Sequence, residues 1–431
     1  MITGPVSSLL QTAVPGTPSQ SFGAWLVATL VKMIVVFTVY MVGVALLTLA
    51  ERKISAWIQG RLGPNRVGPG GLLQPAADGL KNIMKEETYP EQAYMPLFVL
   101  APAMSFIPAL VTWAVIPFGA PWDSPWGRID MALAPLPIGF LYILAISSLG
   151  VYGIVLAGWS SNNKYSLLGG LRASAQMVSY EVAMGMSTIP VLLLAGNVAL
   201  DGVIAQQAAM GWNVLTLTLA FFIFMIAAFA ETNRLPFDLP EAESELIAGY
   251  HSEYSAMKFS FFFIAEYANM VTASALMATL FFGGWDIPFV AWDNVAPHTG
   301  LKTILTGLTF LVKILFFIFL FMWIRWTLPR FRYDQLMALG WKILIPLSLT
   351  YIVIVAGVVL VLDAIGVPRG WMFGAALFGV NVVIMLLVVL GLDRGRVVSP
   401  ATTRVGTGDI ERLQAARVRQ ARRTAPAEVG D

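Results

Sequence analysis

The sequence predicts an all-α, polytopic membrane bundle of about nine transmembrane helices, on three observations. Charged residues make up 12% of the 431 and hydrophobic ones 57%, with a mean hydropathy of +0.73; a soluble domain carries about 25% charged residues. The charges that remain are clustered, leaving uncharged runs at 92–122, 131–163, 182–200, 202–230, 267–285, 343–362 and 370–392. Each can supply the ~20 apolar residues that cross a bilayer as a helix. None alternates in polarity as a barrel strand would, and backbone in lipid tolerates only helices or closed barrels.

Taken in order, the spans fall at about 24–50, 95–118, 132–158, 177–196, 212–230, 258–282, 303–325, 342–362 and 372–392. Residues 1–23 read as a polar tail without the basic start of a secretory signal. Orientation follows from lysine and arginine, which cytoplasmic loops retain in excess. With the N-terminus outside, 14 of them lie in inward loops and eight arginines in the inward tail 393–431. Only Arg128, Lys302 and Arg369 face outward, while Lys32 and Lys313 lie within spans. The predicted arrangement is N-out and C-cytoplasmic, with a core over 24–362, an added helix over 363–392 and a basic tail.

Two inward loops are too long to be simple connectors. The first, 51–94, is rich in Gly and Pro up to Gly71 and then reads as a short amphipathic helix, Leu72 to Met84, lying at the interface. The second, 231–257, holds six acids against Arg234 alone, with Pro236 and Pro240 breaking any helix. The cytoplasmic side therefore carries the chemistry.

Some chemistries are excluded at once. With no cysteine, the chain forms no disulfide and ligates no iron–sulfur cluster through thiolates. The two histidines, His251 and His298, fall on opposite predicted sides, so they cannot share a haem. No metal-ligand spacing, phosphate-binding glycine loop or nucleic-acid motif is present.

What remains is a set of charges inside a membrane. Glu266 lies about eight residues, ~12 Å, into the sixth span. A carboxyl at such depth is costly and marks function by default. Glu231 ends the fifth span, and Glu241, Glu243 and Glu245 lie between these two in sequence; Glu181 sits about one turn into the fourth. Carboxylates held close raise one another's pKa, which suits a proton relay; a solvated acidic loop is the plainer alternative. Lys313, central in the seventh span, should face inward and pair with an acid or carbonyls. Arg52, Lys53 and Arg61 either hold lipid headgroups or guide an amphipathic ligand's polar head, and residue type does not choose between these.

Four segments carry a family resemblance. They are Glu51-Arg52-Lys53 with GRLGPNRVGP at 60–69, LAGWSSNNKYSLLG at 156–169, AETNRLPFDLPE at 230–241 with Glu243-Ser244-Glu245, and RFRYDQLM at 330–337. They closely resemble the H subunits of bacterial respiratory complex I (NADH-quinone oxidoreductase), in order over about 25–362. The resemblance implies an eight-helix core whose cytoplasmic loops dock the peripheral arm and form part of a quinone chamber. It places Arg52, Arg61, Asp78 and Lys81 near the quinone. It maps a proton relay onto Glu181, Glu231, Glu241, Glu243, Glu245 and Glu266, with Tyr250 and Glu253 nearby and Arg172, Arg234 and Asp238 lining the same region. FMN and iron–sulfur clusters would belong to partner subunits and quinone would be the substrate. Peripheral-arm, small membrane and antiporter-like subunits and lipids would be the partners, in a bacterial cell membrane. The ninth span and tail depart from the family pattern. A stand-alone ion-coupled transporter is the rival reading, but the inverted repeats expected of one are not evident.

The topology is directly testable. A reporter fused after Asp431 is expected to be cytoplasmic and one inserted within 285–298 external; an external C-terminus would remove the ninth span.

Overall fold

The computed structural model describes residues 22–125, 127–238, 249–288, 290 and 292–392. Helix α1 (Phe22–Ile58) spans 37 residues, about 56 Å at 1.5 Å per residue, well beyond a ~30 Å hydrocarbon layer. It runs on through Glu51, Arg52 and Lys53, where hydropathy alone ends the span. The interfacial helix forms as α2 (Gln74–Met84), with proline in its first turn. Helix α3 (Met95–Val111) contains Pro102 and Pro108 and tightens into a 3-10 turn at Thr112–Val115. A short antiparallel hairpin follows, β1 (Trp122–Ser124) and β2 (Gly127–Ile129), pairing Asp123 with Arg128. The sequence carried no alternation long enough to reveal it.

Helices α4 (Gly139–Ser160) and α5 (Lys164–Ala195) pack along each other. Their close approach depends on glycine, since a Cβ on Gly158 would lie 2.7 Å from the Ser166 carbonyl oxygen. Asn163 caps α5 by accepting from the Tyr165 amide at 2.9 Å. The helix starts thirteen residues before the expected 177 because Ser166, Arg172 and Gln176 depress its hydropathy without interrupting its backbone. Glu181 consequently lies near mid-helix rather than one turn in.

After α6 (Leu200–Met210) the fifth expected span is interrupted. It forms as α7 (Asn213–Thr216) and α8 (Thr218–Glu231), with Leu217 between them in a non-helical conformation. Fourteen residues reach only about 21 Å. The described residues therefore hold eight helices of membrane-crossing length, plus α8. Side chains hold the entry to α7: Gln207 Oε1 accepts from the amides of Asn213 and Gly283, and Asn213 Nδ2 donates to the Leu280 carbonyl at 2.9 Å.

Helix α9 (Ala256–Phe281) is the centre of the bundle. It touches α1, α2, α3, α6, α7 and α8, and also α10 (Gly300–Thr327). In its most apolar stretch 72% of residues are buried, against 22% in α1. The chain continues through α11 (Tyr333–Leu339), a π-turn at Gly340–Leu344 and α12 (Ile345–Ile365). Tyr180 anchors that π-turn, donating to the Leu336 carbonyl at 2.9 Å with its ring beside Gly340. The added helix forms as α13 (Trp371–Leu392). Its Gly374 sits against Met210, where a Cβ would come within 2.5 Å of the carbonyl oxygen. The chain divides into two compact units after Gly379, with Val380–Asp431 the second.

Both intramembrane lysines find carbonyls. Lys32 donates to those of Asp130 and Ala132, each at 3.0 Å. Lys313 donates to those of Phe282, Gly284 and Asp286 at 2.7, 2.9 and 2.6 Å, with its ammonium 4.8 Å from the Trp212 ring. The three carbonyls that hold Lys313 follow directly on the C-terminal end of α9, where the helix dipole favours a cation. Lys313→Met should therefore cost about 1–3 kcal/mol, read as a lower unfolding temperature of the purified protein. An unchanged temperature would show that the tether contributes nothing.

Candidate functional site

A cavity of about 590 Å³ opens where the C-terminal ends of α1, α8 and α10 meet the N-terminal half of α9, the end predicted to be cytoplasmic. Each wall follows from local structure. Phe259, Phe262, Phe263, Glu266 and Tyr267 recur at three- and four-residue spacing, so α9 presents them on one face. The last turns of α1 supply Glu51, Arg52 and Ser55, and the loop beyond adds Arg61. The end of α10 contributes Arg325 and Trp326, then Arg330; Trp326 Nε1 donates to Ser55 Oγ at 2.9 Å.

The exit from α8 brings in Asn233, Arg234, Leu235 and Asp238. Asn233 takes a positive φ of 49°, which asparagine tolerates better than most residues, and this turns the chain back under the helix. Gln176, fully buried on α5, holds the turn: its side-chain amide is shared among the Ala230 carbonyl at 2.8 Å, Asn233 Oδ1 at 3.1 Å and the Phe237 carbonyl at 2.9 Å.

At the centre is Glu51, only 4% exposed. Its two oxygens accept from Arg234 Nη1 at 2.8 and 2.9 Å, from Tyr267 Oη at 2.5 Å and from Arg325 Nη1. Arg234 also faces Glu266, Nε to Oε1 2.6 Å, a charge contact rather than an in-line hydrogen bond. Its guanidinium lies 4.4 Å from the Tyr267 ring centroid. Burial works against the charge on Arg234, but Glu266 and Glu51 outweigh it and hold the group well above its ordinary pKa. Beside them Asp238 pairs with Arg330 at 3.3 Å. Tyr250 and His251 close the wall from a 3-10 turn at Gly249–His251. Burial pushes His251 down to about 4, so it is neutral at neutral pH.

The residues expected from the sequence separate into groups. Arg52, Arg61, Arg234, Asp238, Tyr250 and Glu266 all line the cavity. Arg52 is paired with Asp78 at 2.5 Å, which ties α2 to α1; Lys81 is exposed on the same helix. Glu231 and Glu181 form a second pair away from the lining, close enough for their charges to interact across packed helices α8 and α5. Ser148 Oγ donates to Glu181. Glu253 lies elsewhere, accepting from Asn163 Nδ2 at 2.6 Å in a separate open concavity with Gln92 and Lys164. Arg172 is exposed, 5.9 Å from the Tyr333 ring centroid. Lys313 serves the opposite end of α9, and Glu241, Glu243 and Glu245 lie outside the described residues.

Sequence reasoning passed over Glu51, Tyr267, His251, Arg325, Trp326 and Arg330. Glu51 reads as part of a basic cluster and Arg325 as a topological charge. The one available signal was a lone acid among the bases at a helix end.

The NADH dehydrogenase family model matches residues 31–356. An NADH-quinone oxidoreductase H subunit of Cytophaga hutchinsonii is 51% identical over 325 residues, covering 75% of this chain and 94% of its own length. The H subunit of Leptospira biflexa is 50% identical over 354 residues, covering 79% of this chain and 96% of itself. That of Frankia alni is 46% identical over 394 residues, 90% of this chain and 85% of itself. Residues 389–431 make up a tenth of the chain, so the Frankia match takes in most of α13. The chain belongs to the NADH dehydrogenase family, among the H subunits of NADH-quinone oxidoreductase.

Proposed function

We propose that this chain is the membrane subunit that forms part of the quinone chamber of a proton-pumping NADH:quinone oxidoreductase. Partner subunits would carry FMN, the iron–sulfur clusters and the pumping channels, in a bacterial plasma membrane. The observation that carries the reading is the cavity's composition: a buried Glu51–Arg234–Glu266 array beside an aromatic face on α9. Such a mixture suits a molecule with an apolar tail and a polar head whose charge and proton content change on reduction. The absence of cysteine from the chain is in keeping with electrons arriving from a neighbouring subunit.

Quinone reduction consumes two electrons and two protons. The proposed role of the array is to respond to that change. Arg234 sits between Glu51 and Glu266, so a new charge in the cavity alters the balance between its two carboxylates. Glu231 and Glu181 offer the next leg along α8 and α5, and the acidic segment 239–248 lies between Glu231 and Glu266 in sequence. A stand-alone transporter is not favoured, because the relatives are named as subunits of one oxidoreductase.

Two variants test this reading in assembled complex. Glu266→Gln with Glu241→Gln should abolish NADH:quinone turnover and pumping while NADH:ferricyanide activity persists; normal quinone turnover would rule out the relay. Glu51→Gln leaves Arg234 and Arg325 without their shared carboxylate, and breaking a buried pair costs on the order of 3–5 kcal/mol. It should lower both thermal stability and quinone turnover. Wild-type values of both would remove Glu51 from the site.

A further inference from the structure

We propose that the cavity also binds long-chain carboxylates, with Arg61 as the head-group cation and the α9 phenylalanines against the chain; this rests on reading the cavity as the quinone site. The argument is one of charge matching. Five guanidiniums line the cavity, and four have a carboxylate at hand. Arg52 has Asp78, Arg234 has Glu51 and Glu266, Arg325 has Glu51, and Arg330 has Asp238.

Arg61 is the exception. Its one described side-chain bond runs from Nε to the neutral Gln59 Oε1 at 2.7 Å, and it has no carboxylate partner among the described residues. A second donor is spare as well. Arg234 is 7% exposed, and its Nη2 has no acceptor among the described residues. A buried unmet donor on a cation is a standing penalty that an anionic acceptor relieves.

Guanidinium matches carboxylate geometry with two parallel bonds, which a neutral alcohol cannot reproduce. Phe259, Phe262 and Phe263 supply an apolar wall on the same cavity. The volume falls within the ~300–1,000 Å³ that encloses one small ligand, which favours a single chain over a two-chain lipid. Such a molecule would compete with quinone, making the cavity a point at which free fatty acid restrains turnover.

The test uses detergent-purified, assembled complex and three amphiphiles of equal chain length, decanoate, decanol and decyltrimethylammonium, compared at equal micelle-bound concentration. Decanoate should compete with quinone and inhibit about tenfold or more below the concentration needed for decanol, with the cation weakest. Arg61→Gln should bring decanoate to within about threefold of decanol, while Arg61→Lys, which keeps the charge but loses the two parallel bonds, retains only part of the difference. Equal inhibition by all three overturns the carboxylate site and leaves the quinone reading standing. Decanoate inhibition that depends on Arg61 but does not compete with quinone places the anion at the lipid surface, as a headgroup site, and also overturns it. If no amphiphile competes and the quinone KM is unchanged in Arg61→Gln and Glu51→Gln, the cavity is not the quinone site, and both readings fall.

Discussion

The inner end of this bundle depends on one buried carboxylate. Glu51 receives hydrogen bonds from Arg234, Arg325 and Tyr267, and these four residues come from α1, the exit of α8, α10 and α9. Burying three charges near one another is expensive, and the attraction repays the desolvation only when geometry is good and the remaining donors and acceptors are met. Glu51 has both oxygens occupied. Arg234 has a second carboxylate in Glu266 and an aromatic face in Tyr267. Removing Glu51 would leave Arg234 with Glu266 alone and Arg325 with no carboxylate among the described residues, whereas removing any one donor leaves the carboxylate with others.

The fold serves this arrangement by fixing α9. That helix is packed on nearly every side, and its far end is tied to α10 through Lys313, to α6 through Gln207 and to α7 through Asn213. From Glu266 to Phe282 is sixteen residues, about 24 Å. The two ends of α9 are thus held by different polar clusters, one open to a cavity and one closed on backbone carbonyls. A site whose side chains stand on a helix held at both ends keeps its geometry better than one on loops. The exit of α8, a cavity wall made from a turn, is fastened by Gln176.

Helix α8 ends on Glu231 and packs against α5, near enough for the charges of Glu231 and Glu181 to interact. The two acid groups, Glu51 with Glu266 and Glu231 with Glu181, are therefore separate clusters joined through a single chain turn carrying Arg234. The start of the added helix α13 meets the end of α6 at Gly374, and the Frankia match takes in most of this helix.

The sequence by itself determined the class, the order of the apolar segments, a short helix in the first inward loop and the end of the bundle that carries charge. Each of these is written in local composition: a bilayer selects long apolar runs, and lysines and arginines mark one side. It also singled out Glu266, and required a partner for Lys313 because a lone charge in lipid is costly at any address. Tertiary structure decided the rest. Which partner Lys313 takes, and that Glu266 is matched by Arg234, depends on residues brought together from distant parts of the chain. Glu51 was hidden because its neighbours in sequence, Arg52 and Lys53, point to an interfacial basic cluster, while its neighbours in space lie 183, 216 and 274 residues away. Local patterns report the solvent a segment faces. Pairing of buried charges is a property of the packed bundle, and only the packed bundle reveals it.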